Sequence, residues 1–179
     1  MPEARRRLVE RIIDPEYVEG LEQKPIEGLR SMREEAKEAE NETSFERRLC
    51  HARIDILSAE LDRRSGKEQG PLLDRLPEIL ATEGGSGASP LPARAPDFSI
   101  PRNADVPRRR VEEIVGEQTL ARLPKLSPEE IREIISSLDE HERDVSARRK
   151  KIHEVMDRIQ AEMVRRYTSG EADPTAALG

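Results

Sequence analysis

Two long stretches of this chain, 26–64 and 129–169, contain no proline and only one glycine, Gly28. In a charge-rich sequence, stretches of that length point to long α-helices. Both carry the same five polar residues. The first copy is Glu40, Ser44, Arg47, His51 and Asp55; the second, 102 residues on, is Glu142, Ser146, Arg149, His153 and Asp157. The spacing in each is E-x3-S-x2-R-x3-H-x3-D, and two of the protein's three histidines occupy the same place in it. Steps of three and four residues keep side chains on one side of a helix. At about 100° per residue, all five fall within an arc of roughly 80°. Two helices therefore present one polar stripe twice, as a two-fold-symmetric polar ligand requires.

Charged residues make up 38% of the 179 residues and aromatic ones 2%. Such a composition suits helices that bury a narrow stripe better than a thick core. The net charge of −6 argues against direct DNA binding, which relies on excess Lys and Arg, but allows a local anion site. The single cysteine, Cys50, permits no intramolecular disulfide and fits a reducing compartment. No apolar run approaches the ~20 residues of a membrane span. The opening MPEARRRLVERII has no long apolar segment and no small-residue cleavage site. The expectation is a cytoplasmic protein with no membrane contact.

Residues 1–24 form an N-terminal segment with a short helix near 4–13, broken at Pro15. The first long helix, 25–66, opens at Pro25 and stops at Gly66, just after Arg63 and Arg64. Residues 67–126 form a connecting segment with eight prolines and the run Gly84-Gly85-Ser86-Gly87. Short helices are expected there at 72–80 and 106–122, with 83–105 disordered. The second long helix, 127–169, opens on Ser127-Pro128-Glu129-Glu130, a capping box with proline at the first helical position. The tail 170–179 is expected to be unstructured.

The fold class is thus all-α: an antiparallel two-helix coiled-coil hairpin, with short accessory helices in a Pro/Gly-rich connecting segment. Each long helix spans roughly 60 Å. An antiparallel register in which facing residue numbers sum to about 197 matches the helix ends and also sets the two signatures opposite each other. Cys50, Ile54, Leu57 and Leu61, and likewise Ile152, Met156, Ile159 and Met163, follow coiled-coil a/d spacing. Continued backwards, the heptads put Arg47 and Glu40, and Arg149 and Glu142, on the same seam. Charged seam residues cost stability. Either the helices splay there to admit a ligand, or the charges pair across the interface.

Interhelical salt bridges of Glu40 with Arg149 and of Arg47 with Glu142, in a ligand-free coiled-coil adaptor, would account for the glutamates and arginines. They do not account for Ser, His and Asp at the same spacing in both copies. His51 with Asp55 and His153 with Asp157 could hold a divalent metal, but Arg47 and Arg149 lie one turn away and would repel it, so no metal is expected. Catalysis is not expected either: Ser, His and Asp on one helix face make no nucleophile–base–orienter arrangement with an oxyanion hole. A nucleotide ligand fits better. Arginine offers a fork for guanine O6/N7 or phosphate, a carboxylate accepts from guanine N–H groups, and Ser and His serve phosphate or sugar. A cyclic dinucleotide has the required two-fold symmetry.

On these residues the chain resembles the RsiG family of bacterial anti-sigma factors. That family carries E-x3-S-x2-R-x3-Q-x3-D on both long helices of an antiparallel coiled coil. Glu40, Ser44, Arg47 and Asp55, then Glu142, Ser146, Arg149 and Asp157, match it here. The stretches DPEYVEGLEQKPIEGLR, RRLCHARIDILSAEL and ARLPKLSPEEI are also similar. The resemblance implies a cyclic di-GMP ligand, bound as a dimer by the ten signature residues. It also implies a WhiG-type developmental sigma factor as the sequestered partner. His51 and His153 stand where the family pattern has glutamine. Neutral histidine keeps one donor and one acceptor, and protonated histidine adds a charge that favours an anion. Binding is therefore expected to tighten as pH falls through about 6.5.

Overall fold

The computed structural model describes residues 3–67, 74–77 and 109–172. Among them all regular structure is helical. In chain order come α1 (Glu3–Ile13), 3₁₀ turns at Pro15–Val18 and Leu21–Gln23, and α2 (Ile26–Arg64). After the connecting segment come α3 (Arg110–Ile114), α4 (Glu117–Ala121), a 3₁₀ turn at Leu123–Lys125, and α5 (Pro128–Ser169). Residues 74–77, inside the helix expected at 72–80, are also helical. The all-α class expected from the sequence holds. The disorder expected at 83–105, and nearly all of the expected tail (173–179), fall outside the described residues.

The long helices start and stop where local chemistry directs. The capping box is formed: Ser127 N–H donates to Glu130 Oε2 at 2.6 Å, and Glu130 N–H donates to Ser127 Oγ at 3.2 Å. Past the C-terminal ends, Gly66 (φ +74°) and Gly170 (φ +77°) adopt the left-handed conformation that glycine tolerates best. Lys67 N–H then donates to the Asp62 carbonyl at 3.1 Å, satisfying one of the helix's last acceptors.

The single helix expected over 106–122 is instead two five-residue helices. The backbone is extended at Val115 and Gly116 between them. Val111 and Val115, one turn apart, are both fully buried. A Cβ at Gly116 would lie 3.1 Å from the Glu112 carbonyl oxygen, so the close approach favours glycine.

The chain forms two compact units, Met1–Thr43 with Ala147–Gly179, and Ser44–Ser146. Each draws on both long helices. In unit one, α1 and the first two 3₁₀ turns join the start of α2 and the end of α5. Its core includes Ile12, Leu21, Leu29, Ile152, Val155, Ile159 and Met163. Arg30 Nε reaches Tyr167 Oη at 3.3 Å, and Arg149 Nε reaches Glu40 Oε1 at 3.0 Å. Numbers rise on one helix as they fall on the other, so the pair is antiparallel.

Unit two combines the end of α2, α3, α4, the third 3₁₀ turn and the start of α5 around Cys50, Leu57, Val111, Val115, Leu123, Ile131 and Leu138. Arg47 reaches Glu142 and Arg64 reaches Leu123, again antiparallel. Of the heptad residues, Cys50, Leu57, Ile152, Ile159 and Met163 are buried, while Ile54, Leu61 and Met156 are half-buried. Each fully buried Leu or Ile contributes roughly 1.5–3 kcal/mol.

Candidate functional site

Each unit holds one polar cluster assembled from both copies of the signature. In unit two, α2 supplies Arg47 and His51, one turn apart, and α5 supplies Glu142 and Ser146, one turn apart. Arg47 Nε donates to Glu142 Oε1 at 3.1 Å. Ser146 Oγ donates to the same oxygen at 2.7 Å, and His51 Nε2 lies 3.1 Å from it. With a carboxylate as acceptor, His51 Nε2 carries the proton. Arg47 Nε also reaches Ser146 Oγ at 3.2 Å. Three donors of different kinds thus converge on one oxygen.

Unit one repeats the arrangement with the copies exchanged. Arg149 Nε donates to Glu40 Oε1 at 3.0 Å, and His153 Nε2 donates to it at 3.0 Å. Ser44 lies one turn from Glu40, the place Ser146 holds relative to Glu142. The glutamates are largely covered, at 14% exposed for Glu40 and 19% for Glu142. Arg47 is 38% exposed and Arg149 34%, so solvent reaches the donors. Burial pushes the Glu142 carboxyl up, but the hydrogen bonds from Ser146, His51 and Arg47 outweigh it and hold the group below the usual carboxylate range.

Of the two possibilities the sequence leaves for the charged seam, pairing across the interface is what the structure contains. The pairs are those the salt-bridge alternative names, Arg47 with Glu142 and Arg149 with Glu40, though they are not the positions that face each other in the expected register. With facing numbers summing to about 197, Glu40 would meet Asp157, its own charge. It meets His153 and Arg149 instead, one and two turns earlier on α5. Asp55 is half-buried and Asp157 exposed, each one turn beyond its histidine. No group of three or more His, Cys, Asp or Glu among the described residues is placed to hold a metal. The third histidine, His141, also sits on a carboxylate, 2.8 Å from Glu46 Oε1 in unit two.

The five-residue signature understates the repeat. At the same 102-residue interval, Glu60 matches Glu162 and Arg64 matches Arg166, in the strings Ala59-Glu60-Leu61 and Ala161-Glu162-Met163 with Arg-Arg two residues on. In unit two, Arg64 Nε donates to Glu60 Oε1 at 2.7 Å, while its two terminal nitrogens donate to the carbonyls of Leu126 and Leu123. In unit one, Arg166 Nε donates to Glu162 Oε1 at 2.7 Å, and its terminal nitrogens donate to the carbonyls of Lys24 and Leu21. Leu21 with Lys24, and Leu123 with Leu126, are themselves 102 residues apart. The AE-x2-RR strings are visible in the sequence, but backbone carbonyls as their targets are not.

Among the described residues the fold is all-helical, and its polar clusters gather charged hydrogen-bond donors around largely covered carboxylates. A family model described as RsiG-like matches residues 15–80 and 117–178, and the chain belongs to that family of anti-sigma factors. Membership gives it a regulatory role and a sigma factor as partner. No curated protein matches the chain. No described helix is long and apolar enough to cross a membrane.

Proposed function

We propose that the protein is a cyclic di-GMP-responsive anti-sigma factor that sequesters a WhiG-type sigma factor in the cytoplasm. The observation that carries the ligand reading is the convergence of Arg47, His51 and Ser146 on a single anionic oxygen of Glu142. Donors arranged around one negative oxygen suit a phosphate oxygen equally well. An arginine released from its glutamate offers the fork that guanine O6/N7 also accepts, and the released carboxylate can take guanine N–H groups. An arginine and a histidine recur around Glu40, as a ligand with two equivalent halves requires.

In this reading Arg47, His51, Ser146 and Glu142, with Glu40, Ser44, Arg149 and His153, contact the ligand. Asp55 and Asp157 flank them. Ligand orders the helices into the surface that the sigma factor recognises, and by linkage the sigma factor raises ligand affinity in turn. His51 and His153 supply ring N–H donors to the phosphates.

One observation favours a second reading. The pairs Arg47–Glu142 and Arg149–Glu40 are also what a ligand-independent adaptor would use to fix its helix register.

Calorimetric titration of the full chain with cyclic di-GMP, at neutral pH with a chelator present, separates the two. Saturable binding near two ligands per chain supports the sensor. Silence both without and with the sigma factor leaves the adaptor.

A further inference from the structure

We propose that Arg64 and Arg166, each with its glutamate, are positioning residues that set the register at which the donors of their own unit meet their glutamate. The inference rests on the ligand reading for its binding readout and is independent of it for its structural one.

An exposed i, i+4 Glu–Arg pair on a helix surface contributes little. These two pairs are largely covered and reach beyond their own helix. Arg166 is 7% exposed and Glu60 3%, so both devices bury charge. In each, the guanidinium spends Nε on its own helix and aims both terminal nitrogens at backbone carbonyls of the turn that leads into the other long helix. Arg166 Nη2 lies 2.7 Å from the Leu21 oxygen, and Arg64 Nη2 lies 2.8 Å from the Leu123 oxygen.

The turn is fixed in its own right. Lys24 N–H donates to the Leu21 carbonyl and Leu126 N–H donates to the Leu123 carbonyl, each at 3.2 Å. A planar fork between two fixed carbonyls tolerates little sliding. A one-residue slip displaces it by about 1.5 Å and turns its face of the helix by about 100°, which takes the fork out of line with both carbonyls. Buried charge that specifies register is the best-attested use of such pairs.

Each clamp shares a unit with one cluster. Arg166 lies in unit one with Glu40, Arg149 and His153, and Arg64 lies in unit two with Arg47, His51 and Glu142. Thirteen residues separate each clamp from the histidine on its own helix, about 20 Å. That exceeds the ~8 Å screening length at physiological salt, so a direct charge effect is small and a displaced helix is the route of influence.

The test uses the full chain and its three histidines as reporters. Imidazole proton resonances of His51, His141 and His153 are compared in the wild type, Arg166→Gln and Arg64→Gln. The expected result is unit-specific: Arg166→Gln moves His153 and leaves His51 in place, and Arg64→Gln does the reverse. Arg166→Lys restores the charge but not the fork, and does not return His153 to its wild-type position. Titration with cyclic di-GMP should then show roughly tenfold weaker binding at one of two sites.

If an arginine variant fails to fold, Glu162→Gln and Glu60→Gln keep the side-chain shape and give the same pattern at smaller amplitude. Resonances that all move together in either variant, or that stay still while the melting temperature falls, overturn the proposal. A wild type that binds no cyclic di-GMP removes the ligand reading, and the histidine pattern still decides this one.

Discussion

Val155 in unit one and Arg53 in unit two stand 102 residues apart, at the same place in the repeat. Val155 is 7% exposed within the core of its unit. Arg53 has its Nε and Nη1 buried with no hydrogen-bond partner among the described residues. The same exchange runs through the other core positions. Ile152 matches Cys50 and Ala36 matches Leu138, buried in every case. Unit one carries the eleven-residue α1, whereas unit two carries two five-residue helices. The glutamate, arginine and histidine of the clusters do not vary, and neither do the clamps. Apolar positions tolerate exchange when their neighbours repack around the new volume, because burial is non-directional. A donor that must reach one oxygen has no substitute at another length.

The largest expected effect breaks the equivalence of the clusters. Arg47→Ala and Arg149→Ala should each lower cyclic di-GMP affinity about 100-fold or more, with helical circular dichroism unchanged. Equal losses would make the units equal binders, and near-normal binding in either variant would remove that arginine from the site. Arg53→Val makes unit two resemble unit one. It should raise stability by about 1–2 kcal/mol in chemical denaturation, because it deletes buried donors without partners. A loss of stability would mean that the arginine has found an acceptor.

Acid probes the two clamps together. Hydrogen bonding from Arg63, and from Arg64 against the cost of burial, holds the Glu60 carboxyl down to about 2. Arg165 and Arg166 hold Glu162 down to about 2. Carboxyls depressed on folding contribute stability that is complete above their unfolded value, near 4.5, and is lost as pH falls from there toward 2. Thermal melts across that window should show the decline, and Glu60→Gln should make it shallower by leaving one clamp of the two to titrate. The smallest effect concerns Cys50, where unit one has Ile152. Burial, with Glu46 and Glu142 nearby, pushes its thiol up to about 12. Alkylation at neutral pH should therefore proceed only as fast as unit two opens.

Much of the scaffold is legible in the sequence because its signals are local. Ser127 and Glu130 announce the start of α5, Gly66 and Gly170 end the long helices, and the heptads name the buried Leu57 and Ile159. The break at Val115–Gly116 is less legible, because its one local mark is Gly116, and an isolated glycine inside a helical pattern is an ambiguous stop. The clusters are half legible. The signature identifies Glu40, Arg47, His51, Glu142, Ser146, Arg149 and His153. It also offers the cross-copy pairs Arg47–Glu142 and Arg149–Glu40, but it does not reveal that the histidine of the other copy joins each pair on the same oxygen. Arg64 and Arg166 repeat at the same interval as the signature, yet arginines beside glutamates are ordinary in so charged a chain.

The oxygen of Glu142 on which three donors converge changes how affinity should respond to salt. An arginine facing water binds an anion by shedding loosely held counterions, and such binding weakens steeply as salt rises. Arg47 already holds its counterion, tethered to α5 and impossible to dilute. An incoming phosphate would replace one anion by another, so the ionic atmosphere would change little. Affinity would then depend only weakly on ionic strength, set by the difference between a phosphate and a carboxylate in the same grip.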